Sequence, residues 1–176
     1  MLTRTRGLLL LYVLALSGAV PAAQETSSSV GIAYQFLDQG DQSYPAGIDA
    51  DVAVRIGKHV AAVGDVGWAR GTAQQFGLRE VATALDIGGG VRWTGGNDRV
   101  RAFGQVILGV ERDTTSIERF GSDSVANLLL RPGAGIVVRL SHRQDLFGQV
   151  DLRRVFREDD ITNAADVLVG VRFHFR

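Results

Sequence analysis

Acyl-transfer or hydrolytic chemistry would need a nucleophile within reach of a histidine base, and the base held in turn by an acid. The chain has no cysteine, and its three histidines are His59, His142 and His174. Ser116, Ser122 and Ser124 share one polar stretch that contains no histidine. Metal chemistry fares no better. Asp49 and Asp51 are separated by the single residue that any alternating strand would put between them, and Asp159-Asp160 lacks the spacing of a calcium loop. Gly88-Gly89-Gly90 sits inside an alternating stretch, where it eases bending of a sheet rather than cradling a phosphate. The expectation is a protein without a catalytic centre, cofactor or metal.

The remaining chemistry lies in charges that fall on every second residue. Asp65, Asp86, Asp151, Arg131 and Arg153 mark the middles of their stretches. Asp49, Asp51, Glu80, Glu111 and Asp166 lie toward one end, and Arg55, Arg92, Arg101, Arg139 and Arg172 toward the other. Side chains of one parity share one face of a strand, so these charges would meet inside a closed sheet. Such a set makes a network of ion pairs and hydrogen bonds that satisfies buried charge. A narrow ion path is the alternative.

The elements needed to position those charges can be read from the same period of two. Val30, Ile32, Tyr34 and Phe36 alternate with Gly31, Ala33 and Gln35; Ile48 to Ile56 alternate with Asp49 to Gly57. The pattern returns over 60–69, 80–93, 100–111, 128–140, 146–156 and 165–176, which makes eight strands. Pro132 lacks an amide donor and should interrupt its ladder. Arg154 breaks the apolar face near the end of its strand. The connections 38–47, 71–79, 113–127 and 157–164 read as long polar loops, against short turns at 58–59, 94–99 and 141–145. Tyr34, Phe36, Trp68 and Phe156 gather at the long-loop end, with Trp93, Phe173 and Phe175 at the turn end. Aromatics at both ends of an apolar face are the girdles of a membrane barrel.

A soluble, lipocalin-like barrel binding a small ligand would share the period, but its polar face would meet water and carry lysine. Here Lys58 is the one lysine, and the polar face holds Gly31, Gly67, Gly88, Gly90, Gly133, Gly135 and Gly170 among acids and arginines. That composition suits a crowded interior, where the planar guanidinium pairs well with carboxylates. An interior of eight strands is just wide enough for side chains to fill.

The last stretch, Gly170-Val171-Arg172-Phe173-His174-Phe175, resembles the C-terminal assembly signal of bacterial outer-membrane barrels, in which a glycine precedes two alternating aromatics near the chain end. Leu168 stands where that signal usually has a polar residue, and Arg176 follows the final aromatic. The whole chain after residue 23 is similar to the small eight-stranded barrels related to the transmembrane part of outer membrane protein A and the opacity proteins. The resemblance implies an all-β fold, an eight-stranded antiparallel up-and-down transmembrane β-barrel, monomeric and surrounded by outer-membrane lipid and lipopolysaccharide. It also implies that Gly170, Phe173 and Phe175 are read by the barrel-assembly machinery.

Arg4 and Arg6, the apolar run from Gly7 to Leu16 and the small-residue exit through Ala19, Ala22 and Ala23 form a secretory leader over 1–23, leaving 24–176 as the barrel. Loss of the leader leaves 17 basic against 19 acidic residues, a balance that gives no hold on nucleic acid. The functional expectation is an outer-membrane protein with a structural or surface-interaction role through four loops, Phe120 being the large aromatic of the longest one. A narrow ion or small-solute pore is the alternative.

Overall fold

The computed structural model describes residues 27–38, 43–75, 78–117, 121–158 and 160–175. The leader expected over 1–23 and the loop aromatic Phe120 lie outside the described residues. Eight antiparallel strands follow one another: β1 (Ser28–Asp38), β2 (Ser43–Arg55), β3 (Val60–Gln75), β4 (Leu78–Gly96), β5 (Val100–Ile117), β6 (Gly121–Arg139), β7 (Gln144–Phe156) and β8 (Ile161–Phe175). Each pairs with its neighbours in sequence, and β8 closes on β1. Following the register once round the barrel from Ser28 leads to Asp38, a stagger of ten residues that tilts the strands by ~40°.

The faces follow parity. Ile32, Val52, Ile87, Leu108, Ile136, Leu152 and Val169 are at least half exposed on the outer wall. The interior holds Asp86, Arg131, Asp151 and Arg153, each at most 2% exposed. A soluble ligand-binding barrel would show the reverse. From Leu128 to Val138 on β6 the outward apolar residues climb ~25 Å at this tilt, the height of a membrane barrel's apolar band. Tyr34, Phe36 and Trp68 ring its upper part and Trp93, Phe173 and Phe175 its lower part, all exposed.

Local chemistry fixes the lower turns. At the β4–β5 turn Gly96 has φ of 130°, a conformation that a side chain would strain, and Asn97 Oδ1 accepts the amides of Arg99 and Val100 at 2.9 and 2.8 Å. Ser141 Oγ likewise accepts the Arg143 amide at 3.2 Å in the β6–β7 turn. Pro132 does what its missing donor requires: the β6–β7 ladder runs to Leu130, skips Arg131 and Pro132, and resumes at Gly133.

At the other end the expected long loops are largely strand. β3 and β4 pair as far as Gln75 with Leu78, and β5 and β6 as far as Ile117 with Gly121. Of the stretches 71–79 and 113–127, read from sequence as loops, residues 71–75 and 78–79 and residues 113–117 and 121–127 are therefore paired strand. The difference has a simple cause, since above the membrane both faces of a strand meet water and the apolar half of the alternation disappears. Pairing of β2 with β3 stops at Ala46 and Arg70, and pairing of β6 with β7 stops at Leu128 and Phe156. A sheet of β3 to β6 thus extends past its neighbours, with residues 71–75 and 121–127 as edges that no strand pairs with among the described residues.

Candidate functional site

The interior is layered by charge. In the lower middle, Asp51 receives Arg92 Nη1 at 2.8 Å and Arg172 Nη2 at 3.1 Å. These two guanidiniums also lie over aromatic rings: Arg92 is 5.1 Å from the centroid of Phe103, and Arg172 is 4.6 Å from that of Phe147. The rings face the lumen, pack with Ala33, Val137 and Leu168, and present π-faces to cations that the bilayer would not tolerate. Leu168, unusual in the closing strand, is an inward packing residue of this layer.

Above it, Arg131 from β6 stands among Asp49 at 3.4 Å, Asp86 at 3.3 Å and Asp151 at 3.4 Å, and pairs with Asp65. Arg153 from β7 reaches Asp86 at 2.7 Å and Asp166 at 3.3 Å, and pairs with Glu111. Gln35 Nε2 donates to Asp166 at 2.7 Å and Gln149 Nε2 to Asp151 at 2.7 Å. Six carboxylates therefore surround two guanidiniums in the middle of the barrel. The layer is acid-rich, which would favour cations over anions in any path through it.

Glycine makes room for these acids. Gly31, Gly67, Gly88 and Gly133 stand beside Asp51, Asp86, Asp65 and Asp151 on the neighbouring strand. A Cβ on Gly67 would lie 2.6 Å from Asp86 Oδ2. Each aspartate lies across the bare backbone next to it and so points its carboxylate inward.

Of the charges singled out from sequence, Asp65, Asp86, Arg131, Asp151 and Arg153 come together in the middle, and Arg92 one layer below. Arg139 is more peripheral, with its Nε 3.9 Å from Asp145 Oδ1 and its side chain 37% exposed. Arg55 is a correction: it is exposed at the lower mouth and joins no ion pair among the described residues. β2 ends there, and the Arg55 side chain is left exposed. It lines a cavity of about 160 Å³ with Lys58, His59 and Asp145.

Asp145 is the lumen residue that sequence reasoning missed, because it reads as the end of a turn. It is wholly buried at the start of β7, pairs with Arg101, and accepts from His174 Nε2 at 2.6 Å. The alternation through Phe147, Gln149 and Asp151 would have placed it inside had the strand been extended by one step. His59 Nδ1 lies 3.1 Å from the Thr94 carbonyl at the same end. Ser124 belongs to the opposite end, where it accepts from Arg112, whereas Ser27 and Ser29 line the lower cavity together with His59 and His174.

In the closing strand, Gly170 is squeezed against β1, where a Cβ would fall 2.6 Å from the Ala33 Cα. Phe173 and Phe175 point outward at the lower girdle, paired with Val30 and Ser28 across the seam.

No family model matches this sequence, and no curated protein matches it. Solved structures do. The attachment invasion locus protein Ail of Yersinia pestis, solved in complex with the heparin analogue sucrose octasulfate, is 18% identical with a TM-score of 0.63 over 86% of this chain and 100% of that one. Neisserial surface protein A is 11% identical with a TM-score of 0.68, covering 86% of this chain and 98% of its own. A major outer membrane protein from Thermus thermophilus is 12% identical with a TM-score of 0.64 over 86% of this chain and 100% of that one. At these identities the likeness is one of architecture, and together with the closed sheet, the apolar outer wall and the charged interior it makes this chain a transmembrane β-barrel with the fold of the small eight-stranded outer-membrane barrels.

Proposed function

We propose that the protein resides in a bacterial outer membrane, is inserted there by way of its closing strand, and acts through the sheet of β3 to β6 that stands above the lipid, as a surface-interaction protein with a plugged lumen. The observation that carries this reading is the pair of edges, residues 71–75 and 121–127, that have no paired strand among the described residues, on strands that continue past their outer neighbours. An unpaired edge offers a row of amides and carbonyls to an extended segment of another protein. Beside the β6 edge lies a cleft of about 870 Å³ lined by Tyr44, Asp113, Asp123, Asn127, Arg157 and Asp160, among others. Arg157 Nη2 and Asp113 Oδ2, 3.1 Å apart, bridge it. Its acids suit a cationic segment, and Val125, Leu128 and Phe156 in the same lining give that segment an apolar floor.

The pore reading is disfavoured by the same geometry that makes the lumen orderly. Arg131 and Arg153 cross the barrel in its middle and are the largest fully buried side chains among the described residues. The interaction role is tested by trimming the β5–β6 hairpin back to residues 112 and 126 and joining them by a short turn. The trimmed protein should assemble normally, seen as an unchanged heat-dependent gel shift, while adhesion of expressing cells to protein-coated surfaces falls. Equal adhesion by correctly assembled trimmed protein would overturn the proposal.

A further inference from the structure

The outer wall carries three arginines that neither the lumen nor the protruding sheet explains. Arg70 on β3, Arg112 on β5 and Arg154 on β7 are exposed and share the outward parity of Trp68, Val110 and Leu152. The inward arginines 92, 101, 131, 139, 153 and 172 each lie within ion-pair distance of a carboxylate. The outward three have no carboxylate partner among the described residues. Arg112 donates from Nε and Nη2 to Ser124 Oγ at 3.3 and 2.9 Å, and Arg154 donates from Nε to Asn163 Oδ1 at 3.2 Å. Both retain free guanidinium nitrogens, and Arg70 makes no side-chain bond among the described residues.

The three stand at one height. Arg70 pairs with Thr83, which pairs with Thr114, so Arg112 lies two residues below the line of hydrogen bonds from Arg70. The ten-residue stagger lifts that line by about two and a half residues over two strands, which returns Arg112 to the level of Arg70. The same step from β5 to β7 brings Arg154 to within ~4 Å of that level. Alternate strands are ~10 Å apart, so the arginines form an arc at the upper boundary of the apolar band. Trp68, Leu128 and Leu152 are exposed just beneath it. Among the described residues the outward faces of β3 to β7 carry no carboxylate at all; the exposed acids Glu158 and Asp160 belong to the turn above β7, and Asp38 to β1.

Unpaired guanidiniums above an apolar wall are complementary to a molecule with anionic groups at one end and acyl chains at the other. We infer that Arg70, Arg112 and Arg154 form a binding site for the phosphate groups of an outer-leaflet glycolipid, with Ser124 and Asn163 holding two of the forks in place and the acyl chains lying on the wall below. Arginine suits the task because its planar fork takes two phosphate oxygens at once. The inference rests on the membrane placement proposed above.

The test uses the full-length mature chain refolded into phosphatidylcholine bilayers doped with a bis-phosphorylated lipid A, its dephosphorylated form, or neither. Retention of the glycolipid through purification is read by mass spectrometry, and its approach by quenching of Trp68, which shares a face with Arg70. Phosphorylated lipid should be retained at least about tenfold over the dephosphorylated form, and the preference should vanish in R70Q/R112Q/R154Q while R70K/R112K/R154K keeps part of it. Inorganic phosphate and soluble sulfated polysaccharide should compete weakly. Equal retention of the two lipids, an unchanged preference in the glutamine triple variant, or full displacement by either soluble anion would overturn the inference. A heat-dependent gel shift in the same samples reports insertion, so failure of the membrane placement appears as no shift, and failure of the lipid site as a normal shift without preference.

Discussion

Arg153 Nη2 lies 2.7 Å from Asp86 Oδ2, a contact that spans the lumen from β7 to β4. Both side chains are almost wholly buried, and removing Arg153 takes the guanidinium from Glu111 and leaves Asp86 and Asp166 to Arg131 alone, in a medium that penalises charge so poorly compensated. R153M should destabilise the barrel by about 3 to 5 kcal/mol in reversible urea unfolding from lipid vesicles. D86N/R153M should recover part of that loss. A double variant as unstable as the sum of the single ones would mean that the two groups do not act as a pair.

Closure of the lumen predicts silence in planar bilayers. The unmutated protein should give no steady conductance, because Arg131 and Arg153 fill the middle layer. R131A/R153A removes volume and leaves the surrounding acids unpaired, so it should leak, with cations preferred over anions. A steady, ion-selective current from the unmutated protein would bring the pore reading to first place.

The outer wall can be tested at mid-height on β8. Val169 is 57% exposed between the aromatics at the foot of the strand and Ala165 near its top, while its neighbour Leu168 is 1% exposed and inside. V169R should cost about 2 to 4 kcal/mol of bilayer stability, as expected for arginine near the midplane. V169L should be near neutral. Stability of V169R equal to the parent protein in bilayers would reverse the assignment of the two faces.

The seam between β8 and β1 makes a third kind of demand. G170V should hinder closure, since its side chain would meet the backbone of Ile32 and Ala33. F173D/F175D should block insertion, because it places charge on the lipid face and spoils the terminal aromatic pattern. Both are read as loss of the folded band in unheated gels of outer-membrane fractions. Full assembly of the aspartate double variant would remove the closing strand from the insertion pathway proposed above.

Gly67 and Asp86 test the room that glycine makes in the lumen. With Cβ space 2.6 Å from the carboxylate, G67V should push Asp86 away from both Arg153 and Arg131 and lower stability by about 1 to 3 kcal/mol. G64A, where a Cβ would point outward and meet nothing nearer than 3.9 Å, is the matched control and should change stability little.

What the sequence determined by itself was the barrel and its two faces. Ile48 to Ile56 alternating with Asp49 and Asp51 can be satisfied only by a strand with one apolar and one charged side, and eight such strands ending in Phe173 and Phe175 leave little choice of architecture. Tertiary structure decided which charges meet. Residues such as Arg131 on β6 and Asp65 on β3 are brought together across the lumen by closure and register, and Arg55 joins no ion pair among the described residues where its strand ends at the mouth, none of which a local period encodes. It also decided how far the strands rise: the polar runs 71–75 with 78–79 and 113–117 with 121–127 are held as sheet by cross-strand hydrogen bonds, which any backbone can make and no side-chain pattern announces. The arc of Arg70, Arg112 and Arg154 arises the same way. In sequence they are isolated arginines at the ends of three stretches, and only the tilt of a closed sheet sets them at one height.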